Sequence, residues 1–324
     1  MSSSEFKLIE HYFVRPAHAQ RNRGVVLGIG DDAALLQVPA GQELAVSVDT
    51  LISGVHFPEH TAPADIGHKA LAVNLSDMAA MGAEPRWATL ALTLPEVDAA
   101  WLEGFSAGFF ALAERYNVTL VGGDTTRGPL SITVQMHGLV PQGQALRRAG
   151  ARPGDLIYVT GELGDAGLAL RSLQGEIRLS PEYAAYSLAR LNRPEPRIAA
   201  GLALRGIAHA AIDISDGLAA DLGHILTASK VGATLHLERL PLSAGVASAV
   251  KKTGDWSLPL SAGDDYELCF TVPVKNESGL HDVLEHFACR STCIGIIEDT
   301  LGLRCELADG KIVTPDMKGY EHFA

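Results

Sequence analysis

The chain has no Cys-x-x-Cys pair and no matching His pattern, so a zinc-ribbon or dithiol redox site is excluded. Its four cysteines, Cys269, Cys289, Cys293 and Cys305, read as small core hydrophobes in a reducing compartment. No stretch approaches the ~18 consecutive apolar residues of a membrane span. The opening residues, "MSSSEFKLIEHYF", lack a basic region followed by an apolar run, so the expectation is a cytoplasmic protein. Basic excess is also missing. Lys and Arg number 26 against 38 Asp and Glu, a net charge of −12, and phosphate-rich nucleic acid is a poor partner for such a surface. The Walker A signature, with its phosphate-cradling lysine, is absent, as is any Ser-His-Asp or Cys-His set. There is no tandem repeat and no low-complexity tract.

What remains is a chain of 324 residues, long enough for one large or two medium domains. A short amphipathic helix is expected around 5–13, then β runs at 24–30 and 43–52 and a nearly all-apolar helix over 64–83. A strand over 85–95, a helix over 97–117 and two strands around a turn in 118–140 complete the first half. The Gly/Pro/Arg-rich "PQGQALRRAGARPGD" breaks the pattern. The second half opens with the strand "LIYVTG" and the Gly-rich "GELGDAGLALRSL", passes a polar, Pro-rich "LNRPEPR", and continues with "HAAIDISDG" and the helix "LAADLGHILTASK". The expected organisation is two α/β domains, 1–145 and 146–324.

"GIGDDA" at 28–33 fits the dinucleotide fingerprint G-x-G-x-x-A, and Asp49 stands about twenty residues on, where a ribose-binding acid belongs. The context is wrong. A βαβ crossover needs a dozen or more residues, usually a helix. Here "DDAALLQVPAGQ" is interrupted by Pro39 and Gly41, and Asp31 and Asp32 would repel a pyrophosphate at the turn.

Acids recur at the ends of apolar elements: Asp49 in "SVDT", Asp77 in "NLSDMAAMG", Asp124 in "VGGDTT", Asp213 and Asp216 in "IDISDG", Asp264 and Asp265 in "AGDDYE". Taken singly, Asp216 reads as a helix N-cap and Asp124 as a turn residue. Asp77 resists that reading. Ala70, Leu71, Val73, Leu75, Met78 and Met81 surround it, no Lys or Arg lies within a turn, and Asn74 shares its face. A buried carboxylate needs a counter-charge or a metal. Oxygen donors in this number, with few bases among them, point to Mg²⁺, which takes one or two carboxylates and leaves its other positions to water and phosphate. The glycines then allow backbone and phosphate to approach. Mg-dependent phosphoryl transfer is the expected chemistry.

The blocks "GIGDDAALL", "SVDTLISGVHF", "KALAVNLSDMAAMGA", "GGDTTRG", "GDLIYVTGELGDAGLAL", "AIDISDGLAADLGHI", "GDDYELCFTVP" and "KGYEHFA" occur in order along nearly the whole chain. Together they resemble the thiamine-monophosphate kinase family, of the superfamily that includes aminoimidazole ribonucleotide and selenophosphate synthetases. The resemblance implies two α/β domains, the N-terminal mixed sheet pairing with a second subunit into a barrel-like homodimer core. It implies ATP and thiamine monophosphate as substrates and several Mg²⁺ ions. Matched position by position, the metal ligands are Asp32, Ser47, Val48, Asp49, Asp77, Asp124, Asp213 and Asp216, Val48 through its main chain only. Gly123, Asp124, Arg148 and Ser215 match nucleotide-binding positions. His56, Asp264 and Tyr320 match substrate positions; Asp264 stands where the family usually has Glu, and Tyr320 is preferred over Met317 as a stacking partner for the thiamine rings. Two other readings are a sister enzyme that activates an amide or selenide, and a non-catalytic nucleotide-binding module. Selenide chemistry calls for a reactive Cys near the N-terminus, and none precedes Cys269. A non-catalytic module is expected to lose acids, and every expected acid is present.

Overall fold

The computed structural model describes residues 5–14, 24–287, 289–314 and 319. Two compact units emerge. One comprises residues up to Met78 with Ala83–Gly143; the other comprises Ala79–Gly82 with Gln144 onward. The division after Gly143 falls inside the expected linker, and the short Ala79–Gly82 segment groups with the second unit.

The first unit begins with one helical turn, α1 (Glu5–Leu8), that widens into a π-turn over Ile9–Phe13. A two-stranded hairpin follows, β1 (Val25–Leu27) with β2 (Leu35–Leu36). The main sheet has four strands: β3 (Gln42–Ile52), β4 (Glu84–Leu94), β5 (Thr119–Arg127) and β6 (Ser131–Pro141). Their order is β3-β6-β4-β5, with β4 and β5 parallel and the other pairs antiparallel. β3 is therefore an edge. Period-two alternation divides its residues. Leu51 is buried on one face, while Leu44, Val46 and Val48 are exposed on the other. α2 (Pro63–Ala80) and α3 (Ala99–Arg115) supply the helical layer. α2 is apolar nearly all round because it is buried nearly all round: Leu71, Leu75 and Met78 are closed to solvent. Asp98 caps α3 by accepting from the N–H groups of Ala100 and Trp101 at 2.9 and 3.2 Å.

The second unit is a seven-stranded sheet. Its strands are β7 (Leu156–Thr160), β8 (Ala210–Asp213), β9 (Gly232–His236), β10 (Leu268–Val272), β11 (Ser291–Glu298), β12 (Gly302–Glu306) and β13 (Ile312–Val313). They are ordered β13-β12-β9-β11-β7-β10-β8, and every pairing but β9–β12 is antiparallel. Seven helices accompany it among the described residues: α4 (Asp165–Leu173), α5 (Pro181–Asn192), α6 (Ile198–Ala203), α7 (Leu218–Ser229), α8 (Ala244–Thr253), α9 (Ser257–Ser261) and α10 (Glu277–His286). Ile157, Val159, Ile212, Leu222, Leu235 and Cys269 belong to one continuous core. All four cysteines are free thiols, and burial pushes the Cys305 thiol up to about 11.

The Gly- and Pro-rich passages hold a buried polar scaffold. The Glu267 carboxylate is closed to solvent and accepts from Thr160 Oγ1, Arg190 Nη2 and Arg197 Nε, each at 2.6 Å. Burial alone would lower the Arg197 pKa, but the hydrogen bond and charge of Glu267 outweigh it and the net shift is upward. Asp265, one residue before Tyr266, accepts from Gly164 N–H through both oxygens at 2.9 and 3.1 Å.

Candidate active site

The glycine-acid turn "GIGDD" is placed by packing. Val25, Ala34 and Leu36 of the small hairpin rest on Trp87, Val121 and Leu139 of the main sheet. That contact carries residues 29–34 to the start of β5. Within the turn, Asp31 Oδ1 accepts from Asp32 N–H at 2.9 Å, so Asp31 stabilises the turn. Both lie on a cavity of about 940 Å³ together with Gly122, Gly123 and Asp124. Gly123 has φ +156°, and a Cβ there would collide with the Leu90 carbonyl of β4. Only glycine lets β5 run this close to its neighbour with its amide edge at the cavity. Among the described residues the cavity wall carries four carboxylates, Glu10, Asp31, Asp32 and Asp124, and no basic side chain. Three of the sequence-expected residues, Asp32, Gly123 and Asp124, are thus brought to one place.

A second group forms between β3 and α2. Ser47 Oγ donates a short hydrogen bond to Asp77 Oδ2. Asp49 sits two residues along β3 and so on the same face. Val48 lies between them with its side chain on the opposite, exposed face, which leaves only its main chain for any ligand role. Asp77 is half-buried rather than fully buried as expected, although Asn74 and Ser76 beside it are closed to solvent. α2 therefore opens to solvent at Asp77, the acid near its C-terminal end. His56 follows β3. Its Nδ1 accepts from Ile52 N–H at 3.0 Å, so the neutral ring carries its proton on Nε2, and Lys69 Nζ donates to the His56 carbonyl at 3.1 Å.

The second unit gathers Ser215, Asp216 and Asp264. Asp264 N–H donates to Ser215 O and Tyr266 N–H to Ile214 O, both at 2.8 Å, so the "GDDYE" loop runs against the "DISD" turn. Asp264 and Tyr266 both have left-handed backbones, φ +62° and +49°. Such conformations in non-glycine residues persist only where surrounding contacts enforce them, and Asp265 and Glu267 provide those contacts from behind. Asp216 is not the N-cap of α7. Gly217 takes that position, and the N–H groups of Ser215 and Asp216 are instead bound by Asp221 Oδ2 at 3.0 Å each. Asp221 is buried, and burial together with the charges of Asp213 and Asp216 pushes its carboxyl up to about 7. Reading the sequence alone missed Asp221; the signal available was an acid in the first turn of an otherwise apolar helix.

Arg148 is exposed, with its main chain held by Ser229, whose Oγ donates to Arg148 O at 3.3 Å and accepts from Gly150 and Ala151 N–H at 3.1 Å. Tyr320 and Met317 lie outside the described residues. Among the described residues no three His, Cys, Asp or Glu side chains converge on one point as a protein-only metal cage. The donor set is all oxygen, spread in ones and twos. That fits Mg²⁺, which completes its shell with phosphate and water, better than a metal that demands a closed cage.

The two-domain architecture is that of the AIR synthase related proteins. Residues 30–140 match the N-terminal domain of that family and 152–307 its C-terminal domain, so the chain belongs to it. The thiamine-monophosphate kinase of Escherichia coli (strain K12) is 51% identical over 325 residues, covering 100% of this chain and 99% of the relative. The crystal structure of thiamine-monophosphate kinase from Stenotrophomonas maltophilia K279a superposes with a TM-score of 0.86 at 48% identity, covering 97% of this chain and 99% of that one. AaThiL complexed with AMPPCP and TMP gives 0.77 at 32% identity, covering 98% and 96%. Within the wider family, the chain belongs with the thiamine-monophosphate kinases.

Proposed function

We propose that the chain phosphorylates thiamine monophosphate with ATP, giving thiamine diphosphate and ADP by direct in-line transfer. The observation that carries this reading is the convergence of Asp32, Gly123 and Asp124 on one acid-lined cavity. It occurs in a chain that matches a thiamine-monophosphate kinase from end to end.

The acceptor oxygen belongs to a phosphate whose second pKa is about 6, so it is already anionic near neutrality and needs no general base. The absence of a nucleophile–base set in the sequence is in keeping with that. The problem is electrostatic: two polyanions must meet beside carboxylates. Bound Mg²⁺ would supply the positive charge that offsets the phosphates. Asp32, Ser47, Asp49, Asp77, Asp124, Asp213, Asp216 and the Val48 main chain would hold the ions. Gly123 offers close backbone approach, and Ser215 and Arg148 hold the nucleotide, Arg148 adding positive charge. His56 donates from Nε2 to the substrate phosphate. Asp264, fixed on Ser215, and Tyr320 hold the thiamine moiety. With reactants aligned, positioning supplies most of the rate.

The working form in this reading is a cytoplasmic homodimer. Supporting it, β3 is an edge strand that exposes Leu44, Val46 and Val48 on one face, an apolar strip that a second copy would cover. No helix among the described residues is long and apolar enough to cross a membrane. In this reading the first domain, 1–145, binds metal and nucleotide and forms the dimer, and 146–324 is the C-terminal α/β domain.

The test is incubation of the purified chain with ATP, Mg²⁺ and thiamine monophosphate, with thiamine diphosphate measured by its fluorescent oxidation product. No product would refute the assignment.

A further inference from the structure

The N-terminal helical turn has no part in the chemistry above, yet it forms one wall of the same cavity. Ile9, Glu10, Phe13 and Val14 line it, opposite in chemical character to the Asp32–Asp124 side and joined there by Ile29 and Leu120. The turn is not ordinary α-helix. Ile9–Phe13 is a π-turn, closed by Val14 N–H donating to Ile9 O at 3.1 Å. Such turns are uncommon and recur at functional sites, because the extra residue re-aims side chains. Tyr12 OH donates to Ala99 O at 3.5 Å, which ties the turn to the start of α3, and Phe13 is 5% exposed.

A cavity of about 940 Å³ lies in the range of small-molecule sites. Its acid-and-glycine side suits metal-bound phosphates. Its apolar side suits a flat, weakly hydrated ring. Glu10 is the one charged group in the wall formed by the turn. It would repel phosphate but accept a hydrogen bond from an exocyclic amine.

Resting on the kinase reading above, we propose that residues 9–14 form the base-recognition wall of the nucleotide site. Phe13, Ile9 and Val14 pack on the purine ring, and Glu10 accepts from the 6-amino group, favouring adenine over guanine, whose 6-position is an acceptor.

The experiment uses the full chain with Phe13→Ala, Phe13→Leu and Glu10→Ala, steady-state kinetics, and two competitors, adenosine and tripolyphosphate. Phe13→Ala raises the KM for ATP about tenfold, of the order expected for loss of one aromatic packing partner. Inhibition by adenosine weakens by the same factor, while inhibition by tripolyphosphate and the KM for thiamine monophosphate stay within about twofold. Phe13→Leu, which keeps an apolar wall and the fold, gives an intermediate loss. Glu10→Ala, at an exposed residue, narrows the preference for ATP over GTP. An unchanged KM for ATP in Phe13→Ala overturns the proposal. So does a rise in KM for thiamine monophosphate instead, or equal weakening of adenosine and tripolyphosphate, which would mark a purely structural turn. If the unmutated chain makes no thiamine diphosphate, the kinase reading fails. Calorimetric titration with adenosine, wild type against Phe13→Ala, then still decides the base wall by itself.

Discussion

Ser47 on β3 donates its hydroxyl hydrogen to the carboxylate of Asp77 on α2, joining the edge strand of the first sheet to the acid in the apolar C-terminal half of that helix. A helix that buries Leu71, Leu75 and Met78 is costly to interrupt with a carboxylate, and the interruption faces the strand that also carries Asp49. The pair fixes the Asp77 oxygen while leaving the residue half-buried.

Asp77→Ala is therefore expected to lower kcat about 10²-fold or more, as for removal of one preorganised charge at a phosphoryl-transfer site. Ser47→Ala lowers it by about 10-fold, because the hydroxyl orients the acid. Both variants keep the wild-type melting temperature within a few degrees. Kinetics across a Mg²⁺ titration check this, with the Asp77→Ala loss persisting at saturating Mg²⁺.

Gly123→Ala tests backbone approach. At φ +156°, with Leu90 O against the position of a Cβ, alanine must push β5 from β4 or distort its own backbone. A cost of about 1–3 kcal/mol follows from strain of this kind. The melting temperature falls by several degrees and the KM for ATP rises. Unchanged values of both would mean that β5 accommodates the methyl and that glycine is not required there.

Glu267→Gln should be among the most destabilising single changes in the second unit. The carboxylate is closed to solvent and joins Arg190 and Arg197, whose side chains are 17% and 20% exposed. Removing one partner of a buried pair leaves uncompensated charge and costs about 3–5 kcal/mol. The loss is read from denaturant unfolding. Because Glu267 anchors the loop carrying Asp264, the KM for thiamine monophosphate rises more than the KM for ATP in whatever fraction remains folded.

These cases also mark what the residues by themselves could tell. The β character of β3, the apolar character of α2 and the Gly/Pro/Arg-rich linker within 141–155 are local patterns, and each was visible in period or composition. The acids of the site were visible for the same reason: a carboxylate at the end of an apolar run is conspicuous. The partners that hold them were not. Glu267 meets Arg197 across 70 positions, and Asp221 binds Ser215 and Asp216 in place of the expected Asp216 cap. Neither pairing leaves a periodic signature. The left-handed Asp264 is hidden similarly, since Asp264 has no composition that marks it and its conformation is imposed from outside.

Asp165 gives a pH prediction away from the site. Burial raises its pKa above the ordinary 3.8, against the opposing hydrogen bonds from Ser187 and Ser243, both donated to Oδ1 at 2.8 Å. Its Oδ2 is buried with no hydrogen-bond partner among the described residues. A carboxyl with a raised folded pKa binds its proton more tightly folded than unfolded. Its contribution is therefore full below 3.8 and is lost as pH rises through the folded value. Asp165→Asn keeps an acceptor for both hydroxyls and cannot ionise. The unfolding free energy of the variant minus that of the wild type should grow as pH is raised from about 4 and level off once the wild-type group has ionised. A difference that is flat over that range would mean that Asp165 does not titrate on folding.

The exposed face of β3 gives the last prediction. Edge strands are normally blunted by charge, proline or a bulge. β3 is instead eleven residues long, pairs with β6 without a break in register, and exposes Leu44, Val46 and Val48 at 44%, 51% and 60%. An unprotected strip of this length is a hazard for a monomer and an asset only when a second copy covers it. Val46→Asp places a charge on that face without touching the Ser47–Asp77 face, since the two alternate along the strand. Sedimentation velocity should show the wild type as a dimer and the variant shifted to monomer. Activity falls with the shift if the barrel-like pairing completes the site, and recovers at high protein concentration. A wild type that sediments as a monomer at micromolar concentration would remove the homodimer from the proposal while leaving the chemistry of Asp32, Asp77 and Asp124 intact.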